Sequence, residues 1–235
     1  MLSRAYKQAL EGWPNRLECL EFLRPEVQLY SDREVARKLQ WVAHHCSQLR
    51  YLVLVHTFPA GDNISEAIQA VARGCSRLRH LDLAGNTISE TAIETVAQAC
   101  PQLECLIMRD CDVTDATLWA VAQHCPQLKE LDVSFNFVSD AAIETVAQAC
   151  SQLERLYLAD GYVHSALWAV AQGCRQLKEL DVSHNLVSNA AIQAVAQANP
   201  QLKSLNVSYC CHLRDEAINS VALGCPQLEL SLIHI

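Results

Sequence analysis

Glycine and proline are scarce in this chain of 235 residues, which contains only seven of each, and aromatic residues make up only 6%. This scarcity excludes a collagen-like chain and long low-complexity linkers. No apolar run approaches the roughly 20 residues that a membrane-spanning helix needs, so we predict no membrane segment. Arg4, Lys7 and Glu11 interrupt the first residues, which therefore do not resemble a secretory signal. Positive charge is not in excess, because the net charge is −8, and we predict neither nucleic acid nor a membrane surface as a partner.

The motifs that usually accompany catalysis are also absent from the sequence. It contains no phosphate-binding P-loop, no G-x-G-x-x-G, no H-E-x-x-H and no G-x-S-x-G. No C-x-x-C pair is present for zinc, and the adjacent cysteines of Cys210-Cys211-His212 would chelate a single metal poorly. We therefore predict a protein that is not an enzyme, has no catalytic residue and uses neither a cofactor nor a metal.

Cysteine, by contrast, is abundant, with twelve in the chain. Seven of them recur with steps of 29, 25, 25, 25, 24 and 51 residues, and Asn199 occupies the position inside the last, double step. We call these seven the slot cysteines: Cys46, Cys75, Cys100, Cys125, Cys150, Cys174 and Cys225. Such a period is typical of a repeat array rather than of a disulfide framework. We predict that the slot thiols are free and buried, which suits a reducing cytoplasm or nucleus.

Each repeat reads C-x-x-L-x-x-L-x-L, followed by a turn and a short helix, as in CPQLKELDVSFNFVSDAAIETVAQA from Cys125 to Ala149. The alternation of leucine with polar residues predicts a short strand. A small residue after the strand, such as Asn136, is expected to bond the turn to its neighbour. The helices are expected to begin at pairs that can accept orphan backbone N–H groups: Ser65-Glu66, Ser89-Glu90, Thr114-Asp115, Ser139-Asp140 and Ser188-Asn189.

A single repeat cannot bury its own apolar helix face, whereas stacked copies can. The sequence therefore predicts an α/β solenoid shaped like a horseshoe, with parallel strands on the concave face and helices on the convex face. About eight repeats occupy residues 13–229. Residues 230–235 (LSLIHI) break the pattern and match one reading frame of a transposon-end adapter used in sequencing libraries. We expect that this hexapeptide is foreign and that the natural protein continues with further repeats.

The repeat resembles the cysteine-containing leucine-rich repeat, CxxLxxLxLxxCxxITDxxLxxLA, over nearly the whole chain. This subclass is typical of F-box/leucine-rich-repeat proteins, whose F-box docks an adaptor of a cullin-based (SCF) ubiquitin ligase and whose repeats capture the target. Residues 1–12 with Trp13 are either similar to the tail of an F-box or form the helix of a truncated repeat. The resemblance implies a substrate-recognition subunit, with an adaptor and a cullin as partners only if an F-box precedes residue 1. The alternative is a stand-alone scaffold without a ligase role.

Strand residues that point away from the leucines are expected to form the binding surface for a target protein. Asp82, Asp132 and Asp181 would form one column that Asn206 extends. This column either recognises a basic or mixed peptide or is simply a solvated face that was copied with the repeat. Trp119 and Trp168 either fill gaps between helices or form an outer contact patch. The predicted binding residues are Asp82, Arg109, Glu130, Asp132, Phe135, Arg155, Tyr157, Glu179, Asp181, His184, Asn206 and Tyr209.

Overall fold

A computed structural model describes residues 17–22, 32–55 and 63–232 of the chain. Within these ranges nine short strands form one parallel sheet in chain order, β1 to β9. Adjacent strands pair in register, so that Leu131 lies beside Leu106 on one side and Leu156 on the other. The strands are Cys19–Phe22, Tyr51–Leu54, His80–Asp82, Cys105–Ile107, Glu130–Asp132, Arg155–Tyr157, Glu179–Asp181, Ser204–Asn206 and Leu230–Leu232. The predicted α/β solenoid with parallel strands is confirmed.

One helix connects each strand to the next within the described ranges. In α5 the buried residues are Ala142, Ile143, Val146 and Ala147, and with the buried Cys150 they form one apolar stripe. The helices α1 to α8 are Asp32–His45, Asn63–Gly74, Glu90–Ala99, Asp115–His124, Asp140–Ala149, Leu167–Gly173, Asn189–Ala198 and Asp215–Gly224. Each helix packs against the helix of the next repeat. None of them is both long enough and apolar enough to cross a bilayer, as far as the described residues extend.

The predicted helix starts agree with the structure in part. Ser139 and Ser188 accept hydrogen bonds from the backbone N–H groups of Ala142 and Ala191 at 3.3 and 3.2 Å, as expected of capping residues. Ser89 and Thr114 occupy the cap position without such a side-chain bond. The prediction for Ser65 is wrong, because α2 already begins at Asn63. The Ser65 hydroxyl instead accepts the backbone N–H of Ser89 at 2.9 Å and links two repeats.

The core lies between the sheet and the helices and consists of the leucines and the slot cysteines. All seven slot cysteines are buried and free, so their predicted burial is confirmed. The thiol of Cys75 points at the carbonyl oxygen of Cys46, 3.3 Å away in the preceding repeat. Burial raises the pKa of Cys75 to about 12 and that of Cys100 to about 11. These thiols therefore remain protonated and pack as small hydrophobic groups.

Buried asparagines hold the turns that follow three of the strands. The Nδ2 group of Asn185 donates to the carbonyl oxygen of Leu158 in the preceding repeat at 2.8 Å. Its Oδ1 accepts the N–H groups of Gly161 and Val163 at 3.3 and 2.7 Å. Asn86 and Asn136 occupy the same position, and Cys111 and Cys210 replace them with a thiol that donates to a carbonyl. The predicted bond from the turn to its neighbour is confirmed.

Two of the predictions concern the ends of the repeat region. Residues 1–12, for which an F-box tail or a truncated repeat is expected, lie outside the described residues. Leu230–Leu232 forms β9 and pairs with β8, and residues 233–235 lie outside the described ranges. The division of the chain at residues 13 and 230 therefore stays a prediction.

Candidate functional site

The outward positions of the strands form a surface on the side of the sheet that the helices do not cover. In β3 and β5 to β8 the middle leucine is buried, and the first and third residues are partly exposed. We call this surface the open sheet face; it is the face predicted to be concave. Eight of the twelve predicted binding residues lie on it, and all are half-buried: Asp82, Glu130, Asp132, Arg155, Tyr157, Glu179, Asp181 and Asn206.

The other four predicted residues lie just beyond the strand ends and are exposed. Arg109 follows β4 by two residues. Phe135, His184 and Tyr209 follow their strands by three, with φ angles of 60°, 57° and 60°. Gly85 occupies the same position in an earlier repeat, with a φ of 70°. This left-handed turn directs the chain out of the sheet, so the three rings lie along its edge.

The column of acidic residues has a structural role that the sequence left open. One carboxylate oxygen of Asp132 accepts the backbone N–H of Ser134, two residues later, at 2.9 Å. Asp181 does the same for Ser183, and the side-chain oxygen of Asn206 accepts the N–H of Ser208 at 3.1 Å. These bonds fix the backbone where each strand ends. An uncharged asparagine can evidently make this contact, so the bond itself does not require the negative charge of the aspartates.

Charges on the open sheet face are only partly neutralised. Arg155 donates from Nε and Nη2 to the same Oε2 atom of Glu130, at 2.9 and 2.7 Å. Glu179 accepts a hydrogen bond from a neutral donor, the Tyr157 hydroxyl, at 2.6 Å, and it interacts with the Arg155 guanidinium electrostatically, without an ion pair among the described residues. Burial, followed by the Glu179 carboxylate, raises the pKa of Tyr157, so its hydroxyl remains a donor. The face therefore keeps the negative charge of Glu179 beside that of Asp181.

Asp132 and Asp181 interact electrostatically although one strand separates them. Burial is the largest cause of the raised pKa of Asp132; the hydrogen bonds from Ser134 and the charge of Arg109 oppose it, and the charge of Asp181 adds a smaller increase. The two residues stand on β5 and β7, with Tyr157 of β6 between them. Because neighbouring strands lie about 4.8 Å apart, the two carboxylates are roughly 10 Å apart along the column. A partner with regularly spaced basic side chains would match this spacing.

Aromatic contacts continue from the open sheet face onto the turns. The guanidinium carbon of Arg109 lies 4.3 Å from the centroid of the Phe135 ring, a cation–π arrangement. His184 and Tyr209 stack with centroids 4.3 Å apart and an interplanar angle of 22°. The structure thus brings the four predicted residues of the turns together as two pairs, and each pair joins neighbouring repeats.

Sequence reasoning missed a second set of exposed apolar residues on the same turns. Phe137, Tyr162 and Leu186 follow the buried turn position in three consecutive repeats, and they are 80%, 60% and 44% exposed. The Phe137 and Tyr162 rings contact each other, with centroids 5.3 Å apart. The available signal was the position itself: it holds the polar Thr87 and Asp112 in the two repeats before.

A ladder of ion pairs, also missed, precedes the strands. Glu104 pairs with Arg79 on one side and Lys129 on the other, both at 2.7 Å. Lys178 pairs with Glu154 at 2.6 Å. These pairs are largely exposed, and each contributes at most about 1 kcal/mol to stability. Because the partners belong to successive repeats, the ladder favours the observed register of the strands.

The two tryptophans on the helical side leave about half of their surface exposed. Trp119 of α4 is 48% exposed and Trp168 of α6 is 46% exposed. This exposure is compatible with both predicted roles, the filling of a gap between helices and an outer contact patch. As for metals, the residues that the structure describes contain no group of three or more His, Cys, Asp or Glu placed to hold an ion.

Comparisons with known proteins agree with this architecture. A family model described as "Leucine Rich repeat" matches residues 74–97, 124–147 and 198–222. An internalin (inlF) from Listeria monocytogenes has a similar solved structure, with a TM-score of 0.59 at 18% identity; the match covers 81% of this chain and 56% of that chain. An internalin C2 (inlC2) from the same organism has a TM-score of 0.58 at 17% identity, covering 83% of each chain. No curated protein matches the sequence. The comparisons establish the fold as a leucine-rich-repeat solenoid.

Proposed function

We propose that this leucine-rich-repeat chain is a protein-binding module that holds a partner on its open sheet face and performs no chemistry itself. The observation that carries the proposal is the pair Glu179 and Asp181. Neither carboxylate forms an ion pair with a cation among the described residues. Exposed rings of His184 and Tyr209 lie in the adjoining turns. Carboxylates beside aromatic rings suit a segment that carries basic side chains, and the charge would chiefly raise the association rate and the specificity.

The ligase role is a finer proposal that rests on the resemblance of the cysteine-slot repeat to F-box/leucine-rich-repeat proteins. In that role the chain is the substrate-recognition part of a subunit of a cullin-based ubiquitin ligase, and the open sheet face captures the protein to be ubiquitinated. The buried free thiols support a cytoplasmic or nuclear location, because thiols persist in reducing compartments.

The double variant Asp132→Asn, Asp181→Asn tests the binding face and keeps the hydrogen bonds at the strand ends, although it removes the bond that Asn206 Nδ2 donates to Asp181 Oδ2. Asparagine keeps the side-chain oxygen that accepts the backbone N–H at the strand end, as Asn206 already does in its own repeat. We expect the association rate with the partner to fall at least tenfold at low salt, with a weaker salt dependence. The matched control is Glu94→Gln, Glu144→Gln on the helical side. Equal binding by the test variant and the control would place the partner elsewhere.

The ligase role needs a separate experiment. The full-length protein is purified from its own cell, and the bound proteins are identified. Recovery of a cullin adaptor together with the target supports the ligase subunit. Recovery of a target without the adaptor, from a protein that binds normally, would contradict the ligase role and favour the stand-alone scaffold.

A further inference from the structure

The turns that follow the strands carry a second surface, of which the proposed function uses only His184 and Tyr209. Six exposed residues from consecutive repeats form it, and we call it the rim strip: Phe135, Phe137, Tyr162, His184, Leu186 and Tyr209. Phe137 projects furthest, with four-fifths of its surface exposed, and contacts Tyr162. Monomeric proteins rarely expose such a contiguous apolar patch unless another molecule covers it.

The stability of the isolated chain does not explain why aromatic residues occupy these turn positions. Tyr162 has a φ of 57°, and Phe135 and Tyr209 have a φ of 60°. Bulky residues are strained in this region, whereas glycine is not. Gly85 occupies the position of Phe135 and Tyr209 in an earlier repeat, and Thr87 occupies that of Tyr162. The chain thus carries large rings at positions where they strain the backbone and remain exposed. Binding is the role that such positions serve.

The charges around the rim strip indicate the chemistry of its partner. Asp110, Asp112 and Asp160 are exposed on the same turns, next to or between the rings. A second copy of this chain would bring these carboxylates against each other, and its net charge of −8 would add repulsion. Nucleic acid and anionic lipid are disfavoured for the same reason. A segment bearing arginine fits both the rings and the carboxylates.

The chain itself contains an example of this contact. Arg109 places its guanidinium 4.3 Å from the centroid of Phe135, one repeat further along. A guanidinium is planar and weakly hydrated, so it stacks on an aromatic face while it still donates to carboxylates. The exposed pair Phe137 and Tyr162, flanked by Asp112 and Asp160, offers the same combination to an external arginine.

We propose that the rim strip binds an arginine-bearing segment of a partner protein, with a guanidinium on Phe137 and Tyr162 and its N–H groups directed at Asp112 or Asp160. This surface is distinct from the open sheet face. The module therefore holds its partner at two places, and the rim strip selects arginine over lysine because only arginine stacks and donates at once.

The test uses a displayed library of random 12-residue peptides, selected on the full chain. Enriched peptides are measured against three proteins: the native chain, the double variant Phe137→Ser, Tyr162→Asn, and the control Trp119→Gln on the helical side. Asparagine tolerates the left-handed φ at position 162, and thermal unfolding checks that all three are folded. We expect arginine-enriched peptides whose Kd rises at least tenfold with the double variant and less than twofold with the control. Replacing arginine by citrulline should cause a similar loss.

Other results would overturn the proposal. Enriched peptides without arginine, or equal binding to the native chain and the double variant, would do so. If Asp132→Asn, Asp181→Asn weakens arginine peptides while Phe137→Ser, Tyr162→Asn does not, the arginine binds the open sheet face; the rim proposal then fails and the proposed function is supported. Self-association that Phe137→Ser abolishes in analytical ultracentrifugation would name a second copy as the occupant instead.

Discussion

The side-chain amide nitrogen of Asn136 lies 2.8 Å from the carbonyl oxygen of Met108, one repeat earlier in the chain. The same buried side chain accepts the backbone N–H groups of Cys111 and Val113 at 3.1 and 2.9 Å. Asn136 thus satisfies backbone groups of two successive turns that water does not reach. Such contacts replace the hydrogen bonds that the turns cannot make as part of the sheet.

Replacing Asn136 by alanine should strongly destabilise the protein. The substitution leaves two N–H groups and a carbonyl without partners, and each buried unsatisfied group costs about 1–3 kcal/mol. We expect the free energy of unfolding in urea to fall by about 3 kcal/mol or more. Asn136→Cys should lose less, because Cys111 occupies the equivalent position with its thiol 3.0 Å from the carbonyl oxygen of Leu83. Equal losses for the two variants would contradict this role of the side chain.

Gly173→Ala should destabilise the protein, whereas Gly224→Ala should not. A Cβ at Gly173 would lie 2.1 Å from the carbonyl oxygen of Ala147 in the neighbouring helix, while at Gly224 the nearest atoms lie at 3.3 Å. Overpacking of this kind costs about 1–3 kcal/mol. At Gly224 the higher helix propensity of alanine, about 1 kcal/mol, offsets the tighter contact. Thermal unfolding of the two variants measures the difference, and a similar loss for both would count against the close approach at Gly173.

Thiol labelling should divide the cysteines into two classes. Cys19 and Cys211 are exposed, and the other ten are buried. Iodoacetamide at pH 8 should therefore modify Cys211 and Cys19 in the folded protein and the remaining cysteines only in denaturant. Peptide mass spectrometry locates the labels. Rapid labelling of Cys100 or Cys125 under native conditions would show that the slot is open to solvent.

Stability should fall at alkaline pH. Burial raises the pKa of Cys125 to about 12 and that of Cys100 to about 11, whereas an unfolded thiol titrates near pH 8.5. Above that pH the unfolded chain binds fewer protons than the folded chain, so the free energy of unfolding decreases as pH rises. Each such thiol contributes about 1.4 kcal/mol per pH unit until its folded pKa is reached, and nothing below pH 8.

Urea unfolding at pH 8, 9 and 10 measures this slope. The variant Cys100→Ala should show a slope smaller by about 1.4 kcal/mol per pH unit than the native chain. Val96→Ala damages the same part of the core without removing a thiol, so it should lower stability equally at every pH. An unchanged slope in Cys100→Ala would mean that its thiol is not held protonated by the fold.

The repeat pattern predicts the solenoid because its signals agree with one another. The central leucine of β2 to β8, such as Leu131, and the slot cysteines recur mostly at steps of 24 or 25 residues, and both are buried. The period of the sequence does not predict the exposure of a side chain where contacts with the next repeat determine it. The alternation predicts an exposed Cys105, but it is only 7% exposed, and its thiol interacts with the Glu130 side chain of the next strand.

The edge of the candidate site is harder to predict for a physical reason. The direction of Phe137 and Tyr162 depends on a left-handed turn, for which the sequence gives a clear signal only at Gly85. In the other repeats aspartate, phenylalanine, histidine or tyrosine occupies this position, and the aromatic residue types usually predict burial rather than an exposed turn. The role of Asp132 was equally hidden, since the same carboxylate serves the backbone with one oxygen and gives the surface its charge.

Because each helix packs on the next helix and each strand pairs with the next strand, residues far apart in the chain depend on one another only through the repeats between them. Among the described helices α6 is the shortest, with seven residues from Leu167 to Gly173. Loss of order there would separate two blocks that each retain several complete repeats. Under a pulling force the chain should therefore part first at the repeat that contains α6, and the blocks on either side of it should open afterwards.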